Sequence, residues 1–291
     1  MSFSCLVDAK AELGECPVWS VREQALYWVN IKGQAIHRYD PGTGQTAVMP
    51  VAEQIGCIGL AESGGFVAGM RSGLWRLDAH GKTLTKLADN PEDWTSSRFN
   101  DGRCDRAGRF WAGTLDEPKA GRNAHLYRYD ARGLKAMGGD LLTSNGLAFS
   151  PDDRWLYHAD TPAFTIYRYA FDRVSGTLGP REPWIRLPSQ AADRARPDGA
   201  AVDAAGRYWT ALYEGGRIQC YSPDAELLAE YSLPARCPTM IAFGGPRLTT
   251  LFVTTARAGR SPEELAVFPE SGGLFAMEIE TPGLPEPLFA D

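Results

Sequence analysis

The sequence predicts an all-β chain built from small sheets repeated around one axis, and three observations carry that expectation. Thirty-one glycines and 20 prolines cut the 291 residues into short segments. Eight tryptophans, 11 tyrosines and 12 phenylalanines sit mostly in short runs beside β-branched or aliphatic neighbours, the composition of strands separated by turns. The third observation is an internal repeat of a size that suits one small sheet.

The clearest copy of the repeat is a short aromatic strand. It appears as Tyr27-Trp28-Val29, Phe66-Val67-Ala68, Phe110-Trp111-Ala112, Leu156-Tyr157-His158, Tyr208-Trp209-Thr210 and Leu251-Phe252-Val253, with centres 39, 44, 46, 52 and 43 residues apart. A second strand follows each one. It reads Ile36-His37-Arg38-Tyr39-Asp40, Leu74-Trp75-Arg76-Leu77-Asp78, Leu126-Tyr127-Arg128-Tyr129-Asp130 and Ile166-Tyr167-Arg168-Tyr169-Ala170, with weaker copies at 218–222 and 274–278. Apolar and polar residues alternate in the clear copies, as in a strand with one buried face. Asp40-Pro41-Gly42, Asp78-Ala79-His80-Gly81 and Asp130-Ala131-Arg132-Gly133 then supply turn chemistry.

Six copies of this size predict a six-bladed β-propeller. A lone blade cannot bury both faces, so the blades form one domain over residues 1–291. A β-sandwich leaves the sixfold register unexplained. Either Phe3 to Val7 or Pro285 to Ala290 is expected to complete the terminal blade.

A further strand precedes each aromatic one and should line the central channel. Its opening residue, put in register, is Glu15, Ile58, Asp101, Asn145, Asp198 and Thr239, which lie 13, 9, 10, 12, 11 and 13 residues before the aromatic centre. These six side chains are expected to converge at one mouth. Asp101-Gly102, Asn145-Gly146 and Asp198-Gly199 each place glycine after the polar residue, where a hairpin turn, a positive φ or a close backbone approach would call for it. Converging carboxylates repel one another unless something neutralises them. A divalent cation held by oxygen atoms does so, and Glu15, Asp101, Asn145 and Asp198 all offer such atoms. Calcium, zinc, magnesium, manganese and iron(II) all suit such a set. Arg98 and Asn100, just ahead of Asp101, are placed to hold hydroxyls or a developing carboxylate. Asp116 and Glu117, after the third aromatic strand, are candidates for sugar hydroxyls or else solvated loop acids.

Other chemistries lack their residues. The formal charge of −6, from 36 acidic and 30 basic residues, is well mixed, with no basic stripe for nucleic acid. No apolar run is long enough for a bilayer, and the opening residues have neither a basic nor an apolar signal region, so a cytoplasmic protein is expected. Six scattered cysteines without a C-x-x-C pair read as reduced, buried thiols. The four histidines (37, 80, 125 and 158) form no zinc motif, and His158 is read as a structural histidine. There is no G-x-S-x-G elbow, dinucleotide fingerprint or Walker loop.

Several segments together resemble the SMP-30/gluconolactonase/regucalcin family. They are Ala11-Glu12-Leu13-Gly14-Glu15-Cys16-Pro17-Val18-Trp19, Arg98-Phe99-Asn100-Asp101-Gly102, Phe110-Trp111-Ala112-Gly113-Thr114, Ser144-Asn145-Gly146-Leu147-Ala148-Phe149-Ser150 and Arg196-Pro197-Asp198-Gly199. Phe243-Gly244-Gly245 and 251–257 fit the family's last blade. The resemblance implies a six-bladed propeller with one divalent ion on Glu15, Asn145 and Asp198. Substrate contacts fall on Arg98 and Asn100, and a further acidic contact falls at Asp116 or Glu117. The family carries glycine where this chain has Cys16, so a left-handed backbone there would leave Cys16 strained. The implied activity is divalent-metal-dependent hydrolysis of an aldono-1,4- or 1,5-lactone to its acid in oxidative sugar catabolism. The ion is expected to polarise the carbonyl, and Asp198, or water held between it and the ion, to act as general base. The small-molecule partner is the sugar lactone; no nucleic-acid or membrane partner is expected. Two alternatives stay open: a phosphotriesterase or arylesterase, and a non-catalytic calcium-binding or interaction propeller.

Overall fold

The aromatic segments form the second strand of six antiparallel sheets arranged as the blades of a propeller. The computed structural model describes residues 2–189 and 193–291. Blade one runs Gly14–Ser20, Ala25–Asn30, Ala35–Asp40 and Gln45–Pro50, and its strands pair in that order. Blades two, three and five repeat the plan, and blade four has a further two-residue strand at its edge. The alternating segments form the third strands, so the first three strands of every blade stand where the repeat predicts them. Helix is limited to one six-residue α-helix, Pro262–Val267, and a short 3-10 turn among the described residues. None of these helices is long and apolar enough to cross a membrane.

The terminal blade closes with the N-terminal strand. Ser4–Val7 pairs antiparallel with Leu274–Glu278, matching Ser4 to Ala276 and Cys5 to Phe275. The last blade therefore takes its outer strand from one chain end and its three inner strands from the other. The C-terminal segment does something else: it runs across the far mouth of the channel. Phe289 N–H donates to Leu60 O and Ala290 N–H to Gly108 O, while Glu286 forms a 2.7 Å ion pair with Arg103. One end of the channel is thus capped by the chain itself.

Facing blades bury the apolar side of each strand. Val29, Phe66, Ile58, Phe99 and Phe110 belong to one continuous cluster, and Trp209, Ile241, Phe243 and Phe275 to another. Burial of each such large side chain is worth about 1.5–3 kcal/mol. Turns are held by carboxylates used twice over. In blade three Asp105 accepts from the backbone of Ala107 and Arg109, from Arg109 Nε and from Trp111 Nε1. In blade five Asp203 does the same for Ala205, Arg207 and Trp209.

Each inner strand carries a bulge near its start. The pairing slips between Glu15 and Val18, Ile55 and Cys57, Phe99 and Gly102, Asn145 and Ala148, Pro197 and Ala200, and Pro238 and Met240. A bulge bends the strand and re-aims the side chains around it. The Asn-Gly and Asp-Gly pairs therefore sit inside strands at these bulges and not at hairpin tips. Gly146 takes φ 63°, a left-handed conformation. At Gly199 a side chain would run into Met240.

Candidate active site

At the mouth opposite the C-terminal cap, the bulges open a small, irregular cavity of about 160 Å³. Glu15 comes from blade one, Arg98 and Asn100 from blade three, Asn145 from blade four, and Arg196 and Asp198 from blade five. Lys119 reaches the rim from the loop after the second strand of blade three. Apolar contacts come from Leu13, Leu115 and Tyr213. The lining is therefore chiefly polar and holds both signs of charge.

Hydrogen bonds tie three blades together beneath this cavity. Arg98 Nη1 donates to Asn100 Oδ1 at 2.7 Å, and Asn100 Nδ2 donates to Asn145 Oδ1 at 2.6 Å and to Ser144 O at 3.0 Å. Asn145 Nδ2 then donates to Thr161 Oγ1, whose hydroxyl donates to Pro197 O, the residue before Asp198. Ser144 Oγ lies 2.6 Å from His158 Nε2, so the strand carrying Asn145 is also braced from behind. His158 is fully buried, and burial lowers its pKa from 6.5 to about 3. It is a neutral, structural histidine.

Glu15, Asp198 and Arg98 are displaced from their ordinary pKa values. Burial, then repulsion from Asp198, raises the Glu15 carboxyl well above its usual range. Burial, then the Asp101 charge, does the same to Asp198. Burial draws Arg98 down to about 10. Glu15 Oε2 accepts from the Cys16 backbone N–H, whereas Asp198 Oδ1 is buried with no partner among the described residues.

The expected ring of six is only half realised. Glu15, Asn145 and Asp198 meet at the cavity, but Ile58, Asp101 and Thr239 do not line it. Asp101 turns aside to accept from the Leu147 N–H at 2.8 Å, and Thr239 is bonded to blades one and six. The expectation of a bound divalent ion is therefore corrected. Among the described residues, no group of three or more His, Cys, Asp and Glu side chains is placed to hold a metal ion. The third carboxylate is engaged elsewhere, and the Asn145 carbonyl oxygen already accepts from Asn100.

Asp116 and Glu117 lie outside the cavity lining. Buried Asp116 accepts from Gly121 N–H at 2.9 Å and shapes the loop that carries Lys119. Glu117 pairs with Arg71 at 2.5 Å. Cys16 takes φ 45°, so its backbone is left-handed. Sequence reasoning missed Lys119, Arg196, Thr161 and Tyr213 as lining residues. The signal for Arg196 was present: in the observed pairing it occupies the position of Arg98, since Arg98 faces Leu115 and Arg196 faces Tyr213.

A propeller with a polar, two-carboxylate cavity at the mouth opposite its cap presents a small-molecule site. Residues 13–257 match the SMP-30/Gluconolactonase/LRE-like region, and the chain belongs to the SMP-30/gluconolactonase/regucalcin family. Sugar-lactone hydrolysis is an activity of this family. The chain is 49% identical to a 6-deoxy-6-sulfogluconolactonase of Pseudomonas putida, over 99% of each chain. It is 34% identical to a pentonolactonase of Haloferax volcanii, over 98% of this chain and 97% of the relative. Among solved structures, it resembles a calcium-binding protein, regucalcin, from Agrobacterium tumefaciens strain C58. There the TM-score is 0.94 at 26% identity, over 100% of this chain and 99% of the other.

Proposed function

We propose that this chain hydrolyses a sugar-acid lactone to the open acid, with Asp198 as general base and Arg98 and Asn100 orienting the substrate. The observation that carries this reading is the buried, unpartnered Asp198 Oδ1 in a cavity otherwise rich in hydrogen-bonding groups. Such a lining suits a polyhydroxylated ring better than an apolar ester. Its relatives' names, a sulfogluconolactonase and a pentonolactonase, support the substrate class.

In the reaction a water molecule adds to the lactone carbonyl while Asp198 takes its proton. The new C–O bond gives a tetrahedral oxyanion, for which the Arg98 guanidinium supplies positive charge in a largely dehydrated setting. Only Arg98 Nη1 is bonded within the described residues, to Phe99 O and Asn100 Oδ1, so the remaining donors are available to substrate oxygens. The ring C–O bond then breaks, the departing oxygen takes up a proton, and the carboxylic acid ionises.

Acid release from pentono- and hexonolactones in 1,4 and 1,5 forms tests the reading against background hydrolysis. Asp198→Asn is expected to lower kcat by about 10²- to 10⁴-fold, the usual contribution of a general base. Arg98→Ala is expected chiefly to raise KM. Near-normal kcat in Asp198→Asn would overturn the assigned role.

A further inference from the structure

We propose that the lactone taken by this site carries a second, permanently anionic group at the end of its carbon chain, seated between Lys119 and Arg196. This inference rests on the lactonase reading and adds a substrate class to it. Neither residue takes a step in the hydrolysis as proposed, although both stand close enough to Asp198 to act on its charge.

The cavity lining holds more cations than carboxylates, three against Glu15 and Asp198. Arg98, Lys119 and Arg196 all line the cavity. Arg196 pairs with Glu214 at 2.6 Å, but that one carboxylate also faces Arg260 at 3.1 Å and Arg194 at 3.7 Å. Three guanidinium groups thus share Glu214, and Arg196 Nε stays buried without a partner among the described residues. The Lys119 ammonium forms no ion pair or hydrogen bond among the described residues. Burial, then the neighbouring Arg196 charge, lowers its pKa, which marks the two cations as close enough to repel. An anion held between them removes that repulsion and gains charge-assisted hydrogen bonds from both.

Lys119 is also held in place. Its loop is pinned on one side by the Glu117–Arg71 ion pair and on the other by Arg122 with Asp140 at 2.7 Å. Between these anchors Asp116 accepts from Gly121 N–H through its carboxylate, and its carbonyl accepts from Lys119 N–H. The backbone at Lys119 is left-handed, with φ 54°. A solvated surface lysine needs no such framing. The arrangement sets a cation at the rim of the cavity that also holds Glu15 and Asp198. A lactone ring seated by Asp198 and Arg98 would extend its exocyclic carbons toward this pair. Carboxylate, phosphate and sulfonate share the chemistry required.

The experiment compares hexono-1,5-lactones that differ only at C6, which bears a hydroxyl, a carboxylate, a phosphate or a sulfonate. At low salt kcat/KM is expected to be at least about tenfold higher for one or more anionic lactones than for the neutral one, the effect of one charge-assisted hydrogen bond or more. The best of the three identifies the anion. Lys119→Gln, a change on an exposed loop, should lower the ratio of anionic to neutral kcat/KM by about tenfold, mainly through KM, and added salt should shrink the preference. Equal turnover of neutral and anionic lactones, or an unchanged ratio in Lys119→Gln, would overturn this inference and leave the lactonase reading intact. No turnover of any lactone would overturn both.

Discussion

Acidification should destabilise this protein through a single buried imidazole behind the site. His158 is fully buried and its pKa falls from the ordinary imidazole value of 6.5 to about 3, chiefly through burial and then through the charge of Arg181. Between these two pH values the unfolded chain binds a proton at His158 and the native protein does not. Stability is therefore complete above pH 6.5 and is lost as pH falls toward 3. A tenfold difference in proton affinity between the folded and unfolded chain is worth about 1.4 kcal/mol. The whole window is then worth roughly 5 kcal/mol, of which about 2 kcal/mol is lost between pH 7 and pH 5. In a protein of this size that loss lowers Tm by about 4–8 °C.

The assay is denaturant unfolding of the native chain and of His158→Gln at pH 7, 6 and 5. Other groups titrate in both proteins, so the difference between the two curves isolates His158. The variant is expected to be less stable at pH 7, because the Ser144 contact is disturbed, and to lose less stability on acidification. NMR of labelled histidine gives an independent reading, since the chain has only four. The His158 signal should remain that of the neutral ring at pH 5. Parallel stability curves, or a His158 signal that titrates near 6.5, would refute the reasoning.

Two further perturbations probe the frame of the propeller. Deleting residues 1–8 removes the outer strand of the last blade and buried Phe3, and is expected to lower Tm by more than about 5 °C in a scanning calorimeter; an unchanged Tm would show that this strand does not close the ring. At Cys16, with φ 45°, Cys16→Gly should alter unfolding free energy by no more than about 1 kcal/mol, because relief of left-handed strain offsets the lost thiol packing. Cys16→Val, which adds a β-branch to that strained backbone, should destabilise by about 2 kcal/mol or more, and equal stability of the two variants would show that the strain is absent.

The blades were legible because their signals are local. The aromatic segments and the alternating segments depend on period-2 patterning and on turn residues, and all twelve fall on the second and third strands of their sheets. The choice between Phe3 to Val7 and Pro285 to Ala290 as the closing strand was not legible, because both are short and no pairing partner is encoded nearby. The structure assigns the first to the last blade and sends the second across the capped mouth, where Arg103 and Glu286 meet. Long-range ion pairs of that kind leave no periodic trace in a sequence.

The site was half legible for a reason that the bulges explain. Aligning the inner strands on Asp-Gly sets Asp101 level with Asp198. The observed pairing instead sets Phe99, opposite Thr114, level with Pro197, opposite Leu212. Asn100 then matches Asp198, Arg98 matches Arg196, and Asp101 falls one step deeper, beside Leu147. A one-residue slip ordinarily turns a side chain to the other face of a sheet. Here it puts an amide, Asn100, where a third carboxylate was expected. The same slip hides Arg196, which the correct register would have exposed as the blade-five counterpart of Arg98. The cavity is consequently less acidic and more cationic than its sequence first suggests, and a substrate that brings negative charge of its own follows from that change of balance.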